Sequence, residues 1–199
     1  SIGLALKRAN LRDTEVVGSS GDRNTLSTLS KMEAMDSTTG NLRAAVNGAQ
    51  LVILDVPISE LKDLLEHVGP ILEDGCVVTD TGTAKLRVLE WMEEYLPSGV
   101  NYVGGHPLPR EVPREMSDAS PRIFEDAHYC VIPSRSANQE SVKTIVGLAE
   151  TLGAKPIFLD PHEHDSYAAA MMNLPTIISA AFVNATAGSA GWREMHRLA

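Results

Sequence analysis

Short runs of uninterrupted apolar residues alternate along this chain with longer segments in which apolar residues recur every three or four positions. The runs lack the in-and-out alternation of a sheet that faces water, so they predict strands covered on both faces. The longer segments have the spacing of amphipathic helices. Together they predict an α/β fold with a doubly wound, mainly parallel sheet. The predicted strands are EVVG (15–18), LVILDVP (51–57), CVVTDTG (76–82), YVGGHP (102–107), YCVIP (129–133) and PIFLD (156–160).

The C-terminal segment has a different pattern. Asp160 and Pro161 form a typical helix start, with a capping carboxylate followed by proline. The sequence beyond them is helical in character, with a kink predicted at Pro175 and a break near 188–191. We therefore predict one doubly wound α/β domain over residues 1–158 and the start of a helical domain over residues 159–199.

One stretch, residues 167–187, is apolar and long enough to cross a bilayer. It is rich in alanine and contains Asn173, Pro175 and Asn184, which a membrane span disfavours. We predict a buried helix of a soluble protein and no membrane partner.

Charge and cysteine content restrict the partners. The chain has 17 Lys and Arg against 26 Asp and Glu, a formal net charge of -9, which argues against nucleic acid. Cys76 and Cys130 each lie in an apolar run and are predicted to be free, buried thiols of a cytoplasmic protein. The expected partner is a small molecule or another protein.

A doubly wound nucleotide-binding domain normally begins with a strand, a G-x-G-x-x-G turn and a helix. The first residues here, SIGLALKRAN, have the pattern of that helix, and Gly3 alone makes no such turn. We expect the sequence to be part of a longer chain.

The stretch YVGGHPLPR places His106 after two glycines and before a proline. Glycine permits backbone conformations closed to other residues, and Pro107 fixes the path after the histidine. This pattern predicts a histidine at the end of a strand with space around it. A ligand-facing histidine and an ordinary turn histidine both fit.

Several segments together resemble the prephenate and arogenate dehydrogenases of tyrosine biosynthesis. The resemblance implies oxidative decarboxylation of a cyclohexadienyl substrate, prephenate or arogenate, with hydride transfer to NAD or NADP. It also implies that residues 1–158 form an NAD(P)-binding domain of Rossmann type, and that the helical segment belongs to a dimerisation domain of a homodimer. The segments that carry it, in the family's order, are SIGLALKRA, EVVG, LVILDVP, VVTDTGTAK, VGGHP, FEDAHYCVIP, DPHEHD and NLP.

The resemblance assigns roles to individual residues. His106 accepts a hydrogen bond from the substrate hydroxyl as hydride leaves, and Thr83 orients the imidazole. Thr83 is alternatively the N-cap of a helix that starts at Ala84. Lys85 binds substrate or lies on a solvated helix face. The remaining assignments are Val56, Pro57 and Gly82 to the cofactor and Asn173 and Thr176 to the substrate.

The segment GSSGDRN (18–24) bears on the choice of cofactor. In NAD-preferring domains the second strand ends in an acid that binds both ribose hydroxyls. Ser20, preceded by Ser19, falls at that position, and Arg23 can reach a 2′-phosphate, so NADP is the expected cofactor. Asp22 favours NAD if its carboxylate reaches the ribose, and a flexible loop with no cofactor role also fits.

Two departures from the family leave other functions open. Residues 172–176 read MNLPT where the family has Ser-His-Leu-Pro, and the family's clamping arginine motif is not reached. A catalytically impaired nucleotide-binding or dimerising module and an oxidoreductase of another small acid both fit these departures. No metal site is predicted, because one intervening residue turns His162 and His164 to different faces. His67, His128 and His196 receive no role.

Overall fold

A five-stranded sheet and a separate two-stranded ladder form the centre of the fold. The computed structural model describes residues 1–111, 113, 115–189, 191, 192 and 194. β1 and β2 pair in parallel, and the larger sheet has the order β3-β4-β5-β6-β7, parallel except between β5 and β6. The predicted α/β fold with a mainly parallel sheet is confirmed. The strands are β1 Val17–Ser19, β2 Ser37–Thr39, β3 Leu51–Leu54, β4 Val77–Asp80, β5 Asn101–Leu108, β6 His128–Pro133 and β7 Lys155–Phe158.

Helices connect most of the strands, and several begin at a side chain that caps free backbone N–H groups. Asn138, for example, accepts from the N–H of Ser141 at 2.7 Å. The α-helices are α1 Ile2–Ala9, α2 Arg23–Lys31, α3 Leu42–Val46, α4 Ile58–Val68, α5 Leu86–Tyr95, α6 Gln139–Thr151, α7 Pro161–Ala168 and α8 Leu174–Thr186.

The core lies on both faces of the larger sheet. Successive β5 residues point to opposite faces, as strand geometry requires. Tyr102 packs in a cluster with buried residues of α4 and α5, such as Leu65 and Met92. Val103 packs in a second cluster with residues of α6, such as Ile145, and of α1. Coverage on both faces explains why the strand sequences are continuously apolar.

The sequence prediction and the structure differ most at two strands. β2 was not predicted, because its sequence, STT, is polar and it has only 3 residues. β3 ends at Leu54, whereas the predicted strand continued to Pro57. Both cysteines are free and buried, as predicted.

The C-terminal helix starts where predicted, with the Asp160 carboxylate accepting from the N–H of His162 at 2.8 Å. A π-helical turn, Ala169–Asn173, replaces the predicted kink. Pro175 cannot donate to a residue four positions earlier, and its ring crowds that carbonyl, so a wider turn ahead of it relieves both problems.

The prediction that this helix is buried is wrong for the single chain. Residues Pro161–Thr186 form a 26-residue helix that is long and apolar enough to cross a membrane, and only 6% of its most apolar window is buried. Ile177 is 65% exposed and Phe182 63% exposed. The helix contacts the α/β unit through α7, which packs against α5, whereas nearly all residues of α8 are exposed.

Candidate active site

A cleft opens at the carboxyl ends of β3 and β4, where ligands of open α/β sheets bind. It is lined by Val56, Ile58, Gly82 and Ala84, and its volume of about 10 Å³ leaves space for about one water molecule. A Cβ atom at Gly82 would lie 3.0 Å from Oδ2 of Asp80, so glycine permits this close turn. The structure thus brings Val56 and Gly82 together as predicted cofactor residues, while Pro57 caps α4 beside them.

The predicted nucleotide-selecting residues follow β1. Ser20 accepts a hydrogen bond from the N–H of Asp22 at 3.1 Å. The Asp22 carboxylate caps α2 and accepts from the N–H of Thr25 at 2.9 Å and from its hydroxyl at 2.8 Å. These hydrogen bonds from Thr25 lower the pKa of Asp22 and orient its carboxylate toward α2. Ser19 and Arg23 are exposed.

His106 lies inside β5. The register pairs His106 with Cys130 of β6, and β5 continues beyond the end of β4 at Asp80. The His106 side chain is buried, with 3% of the residue exposed. The prediction of a strand end with space around the ring is therefore wrong, because the antiparallel partner strand extends alongside it.

The two glycines before His106 are required for packing. Neither has a positive φ angle, so the predicted need for unusual backbone conformations is also wrong. A Cβ atom at Gly105 would lie 2.4 Å from the Tyr129 hydroxyl oxygen and 2.7 Å from the Asp80 carbonyl oxygen. The Asp80 carbonyl cannot move away from such a Cβ atom without distorting the end of β4.

We expect Gly105→Ala to lower the free energy of unfolding by about 3 kcal/mol, since the added methyl overpacks a rigid site. Urea denaturation of both proteins measures this difference. Gly147→Ala is the control, because its Cβ would meet no atom within 4 Å. That change in α6 is expected to be neutral or stabilising by up to about 1 kcal/mol. Equal effects of the two substitutions would contradict the packing explanation.

His106 is joined to a second histidine that the sequence analysis left without a role. Nδ1 of His106 lies 2.8 Å from Nε2 of His164 on α7, and the planes of the two rings make an angle of 72°. Nδ1 of His164 lies 2.8 Å from Oδ1 of Asp165. The carboxylate of Asp165 also accepts from the N–H groups of Lys85 and Leu86, at 2.8 and 3.0 Å, at the start of α5. A chain of hydrogen bonds thus connects His106 to the start of α5.

Burial, followed by the charge of Lys85 and the neighbouring His164, lowers the pKa of His106 to about 3. The negative charge of Asp165 acts in the opposite direction. The imidazole is therefore uncharged at neutral pH and can accept a hydrogen bond.

A buried ion pair lies beside the histidines. The Lys85 ammonium donates to Oδ2 of Asp80 at 2.7 Å and to the Gly82 carbonyl at 2.6 Å. The Tyr102 hydroxyl donates to Oδ1 of Asp80 at 2.6 Å. Burial, followed by the charge of Asp80, raises the pKa of Tyr102 well above its usual value. Lys85 is fully buried, so the alternative of a solvated helix face is wrong.

Three residues that were predicted to act in catalysis or substrate binding make no hydrogen bond to His106, His164 or Asp165 among the described residues. Thr83 is exposed, and its hydroxyl makes no hydrogen bond to the described residues. The alternative of a Thr83 cap is wrong, since α5 begins at Leu86 and Asp165 binds its first N–H groups. Asn173 and Thr176 are exposed, and the Thr176 hydroxyl donates to the Met172 carbonyl at 2.7 Å.

Cys130 completes a group of possible metal ligands with the two histidines. Its sulfur and the ring nitrogens of His106 and His164 lie within 4.8 Å of one another. Burial raises the pKa of the Cys130 thiol, which disfavours the thiolate that binds metals. The direct hydrogen bond between the histidines is the better account of the geometry. His162 is exposed, and His196 lies outside the described residues.

His164 and Asp165 are the site residues that sequence reasoning missed. They lie in the segment DPHEHD, which was interpreted as a helix start and as part of the family resemblance, with no role assigned to either residue. The alternation of exposed His162 and buried His164 was available from helical geometry, but the partner of the buried ring was not, because His106 is distant in sequence.

Comparisons with known proteins show the family to which this sequence belongs. The sequence profile described as "Prephenate dehydrogenase, nucleotide-binding domain" matches residues 2–158. Prephenate dehydrogenase of Bacillus subtilis is 27% identical over 190 residues, which cover 94% of this chain and 50% of that protein. Its counterpart in Lactococcus lactis is 30% identical over 186 residues, 92% of this chain and 49% of that protein. The chain spans about half the length of these curated relatives.

Two solved structures are similar in fold. Prephenate dehydrogenase of Aquifex aeolicus, in complex with hydroxyphenyl propionate and NAD+, has a TM-score of 0.84 at 19% identity, over 92% of this chain and 64% of that chain. Synechocystis arogenate dehydrogenase has a TM-score of 0.80 at 25% identity, over 100% of this chain and 70% of that chain. With a domain profile that matches most of its length, the chain belongs to the prephenate dehydrogenase family.

Proposed function

We propose that the protein containing this chain is a prephenate or arogenate dehydrogenase of tyrosine biosynthesis, located in the cytoplasm. The observation that carries the proposal is the buried His106, which is hydrogen-bonded to His164 and lies close to the carboxyl-end cleft of a domain from this family. Asp80 links the two, because it lines the cleft and its Oδ1 atom lies 3.4 Å from the N–H of Gly105.

In the proposed reaction the ring carbon that bears the substrate hydroxyl loses hydride, and His106 accepts the hydroxyl proton. A nicotinamide cofactor, when bound, would supply the hydride acceptor, and Val56, Pro57 and Gly82 are the residues proposed to hold it. The resulting ketone loses carbon dioxide, and the electron pair left behind makes the ring aromatic. The oxygen then takes back the proton, so atoms and charge balance. The protein mainly positions the groups, because aromatisation drives the second step.

Reduction of the cofactor tests this function directly. Absorbance at 340 nm, recorded with the full-length protein, each cofactor and either prephenate or arogenate, should increase with one of the two substrates. No increase with any combination would contradict the proposal and favour an impaired module or another small acid as substrate.

We propose further that NADP is preferred over NAD. Support comes from Ser20 at the position of the usual acid, from the exposed Arg23, and from Asp22, whose carboxylate caps α2. A serine does not repel a 2′-phosphate, and an arginine can bind it with two hydrogen bonds.

Arg23→Ala should weaken NADP binding by about tenfold or more and leave NAD binding unchanged, since hydrogen bonds to charged groups contribute about 1.5 to 3 kcal/mol. Dissociation constants for both cofactors, measured with the full-length parent and variant, check this result. Arg122→Ala, at another exposed arginine, is the control. Tighter binding of NAD than NADP by the parent would show the preference to be wrong.

The helical segment from residue 159 onward is proposed to belong to a second domain that forms a homodimer. The support is the exposed apolar surface of α8, with Ile178 58% and Phe182 63% exposed. Several large apolar side chains exposed on one helix are unusual for a helix that faces only solvent.

Light scattering should therefore give twice the monomer mass for the full-length protein at micromolar concentration. Phe182→Glu is expected to shift the protein toward monomer, because a charge would be buried in the interface. Ser189→Glu, near the end of the same segment, is the control. A monomeric parent would contradict the dimer.

A further inference from the structure

The carboxylate of Asp165 determines where the hydrogen lies on His164. Its Oδ1 atom accepts from the N–H of Lys85 at 2.8 Å, and its Oδ2 atom accepts from the N–H of Leu86 at 3.0 Å. Although burial raises the pKa of Asp165, hydrogen bonds from Leu86 and His164 lower it below its usual value. An ionised carboxylate only accepts hydrogen bonds, so Nδ1 of His164 must carry a hydrogen.

The hydrogen on His164 in turn determines the state of His106. With its hydrogen on Nδ1, neutral His164 presents a lone pair at Nε2. The 2.8 Å contact between that atom and Nδ1 of His106 needs one hydrogen, which must come from His106. Nε2 of His106 is then the atom with a free lone pair.

We propose that His164 and Asp165 are positioning residues that hold His106 in the tautomer with hydrogen on Nδ1, so that Nε2 is the proton acceptor. This inference rests on the proposed dehydrogenase function for its role in turnover. The tautomer itself depends only on the three side chains.

The same arrangement stabilises the charge that forms when His106 takes a proton. The cation keeps its hydrogen bond to His164, which keeps its own to the carboxylate of Asp165. Of the groups that face His106, Lys85 disfavours the cation and Asp165 favours it. Asp165 therefore offsets part of the effect of Lys85 at the moment of proton transfer.

Nitrogen-15 NMR of the histidine-labelled, full-length protein tests the tautomer. A protonated and an unprotonated ring nitrogen have well-separated shifts, so the parent should show His106 with hydrogen on Nδ1. In Asp165→Asn the new amide can donate to His164, which would reverse the hydrogen bond and move the His106 hydrogen to Nε2. His164→Phe removes the acceptor and should give a mixture of tautomers.

His162→Phe is the control, since His162 is exposed on the same helix. If Asp165→Asn does not fold, the comparison of His164→Gln with His164→Phe replaces it, because glutamine can restore an acceptor. An unchanged His106 tautomer in the folded His164→Phe and Asp165→Asn proteins would overturn the proposal.

Turnover provides the second measurement. We expect kcat of Asp165→Asn and His164→Phe to fall by about 10- to 100-fold, less than on loss of the base itself, with KM for the cofactor unchanged. His164→Gln should recover part of the loss. A parent protein without activity would contradict the proposed function and leave the NMR result intact, so the two failures can be told apart.

Discussion

His106→Asn should lower kcat of the full-length protein by at least about 100-fold, the usual contribution of a positioned acid or base. Asparagine has similar polarity but cannot take the substrate proton. The proposed cofactor site lies at the ends of β3 and β4, so the dissociation constant for the cofactor should remain nearly unchanged. Steady-state kinetics and fluorescence titration with the cofactor measure the two effects separately.

The control for this substitution is His128→Asn, which changes an exposed histidine of β6. Its kcat should equal that of the parent. Parental turnover in His106→Asn would remove His106 from the mechanism. A parallel loss of cofactor binding would indicate instead that the substitution has disturbed the fold of β5.

Lys85→Met should lower the free energy of unfolding by about 3 to 5 kcal/mol, because it leaves the buried carboxylate of Asp80 without its cation. The paired side chains are 0% and 2% exposed, so water cannot replace the lost partner. Methionine retains most of the apolar stem, so lost packing contributes little. Urea denaturation at neutral pH measures the change.

Lys155→Met is the matched control, because Lys155 and Asp126 form an ion pair of similar length, 2.8 Å, with side chains 65% and 73% exposed. Its loss should cost about 0 to 1 kcal/mol. The double variant Asp80→Asn with Lys85→Met should be more stable than Lys85→Met alone, since no unpaired charge remains. Similar costs for the two lysines would contradict a role for burial.

Much of the fold could be predicted from the sequence because the strands are buried on both faces and therefore continuously apolar. LVIL, VVTD and YCVIP each lie in an observed strand. STT at Ser37–Thr39 carries no such signal, since its burial is partial and its residues are polar.

The site was only partly predictable. His106 could be found because the residues around it resemble a family motif. Its contact with His164 depends on how α7 packs against the sheet, which no local pattern encodes. The glycines were identified but explained incorrectly, because a steric requirement from Tyr129 is invisible in the sequence of β5.

The π-helical turn Ala169–Asn173 sets the rotational phase of the C-terminal helix. Each residue of an α-helix turns the chain by about 100°, and a π-helical turn accommodates one extra residue. His164 lies before this turn and Phe182 after it, on one continuous helix. Deleting a single residue from the turn would leave both halves helical but rotate the apolar side of α8 relative to the histidine pair. The π-helical turn therefore sets the angle between the side of the helix that carries His164 and the side that carries the apolar residues of α8.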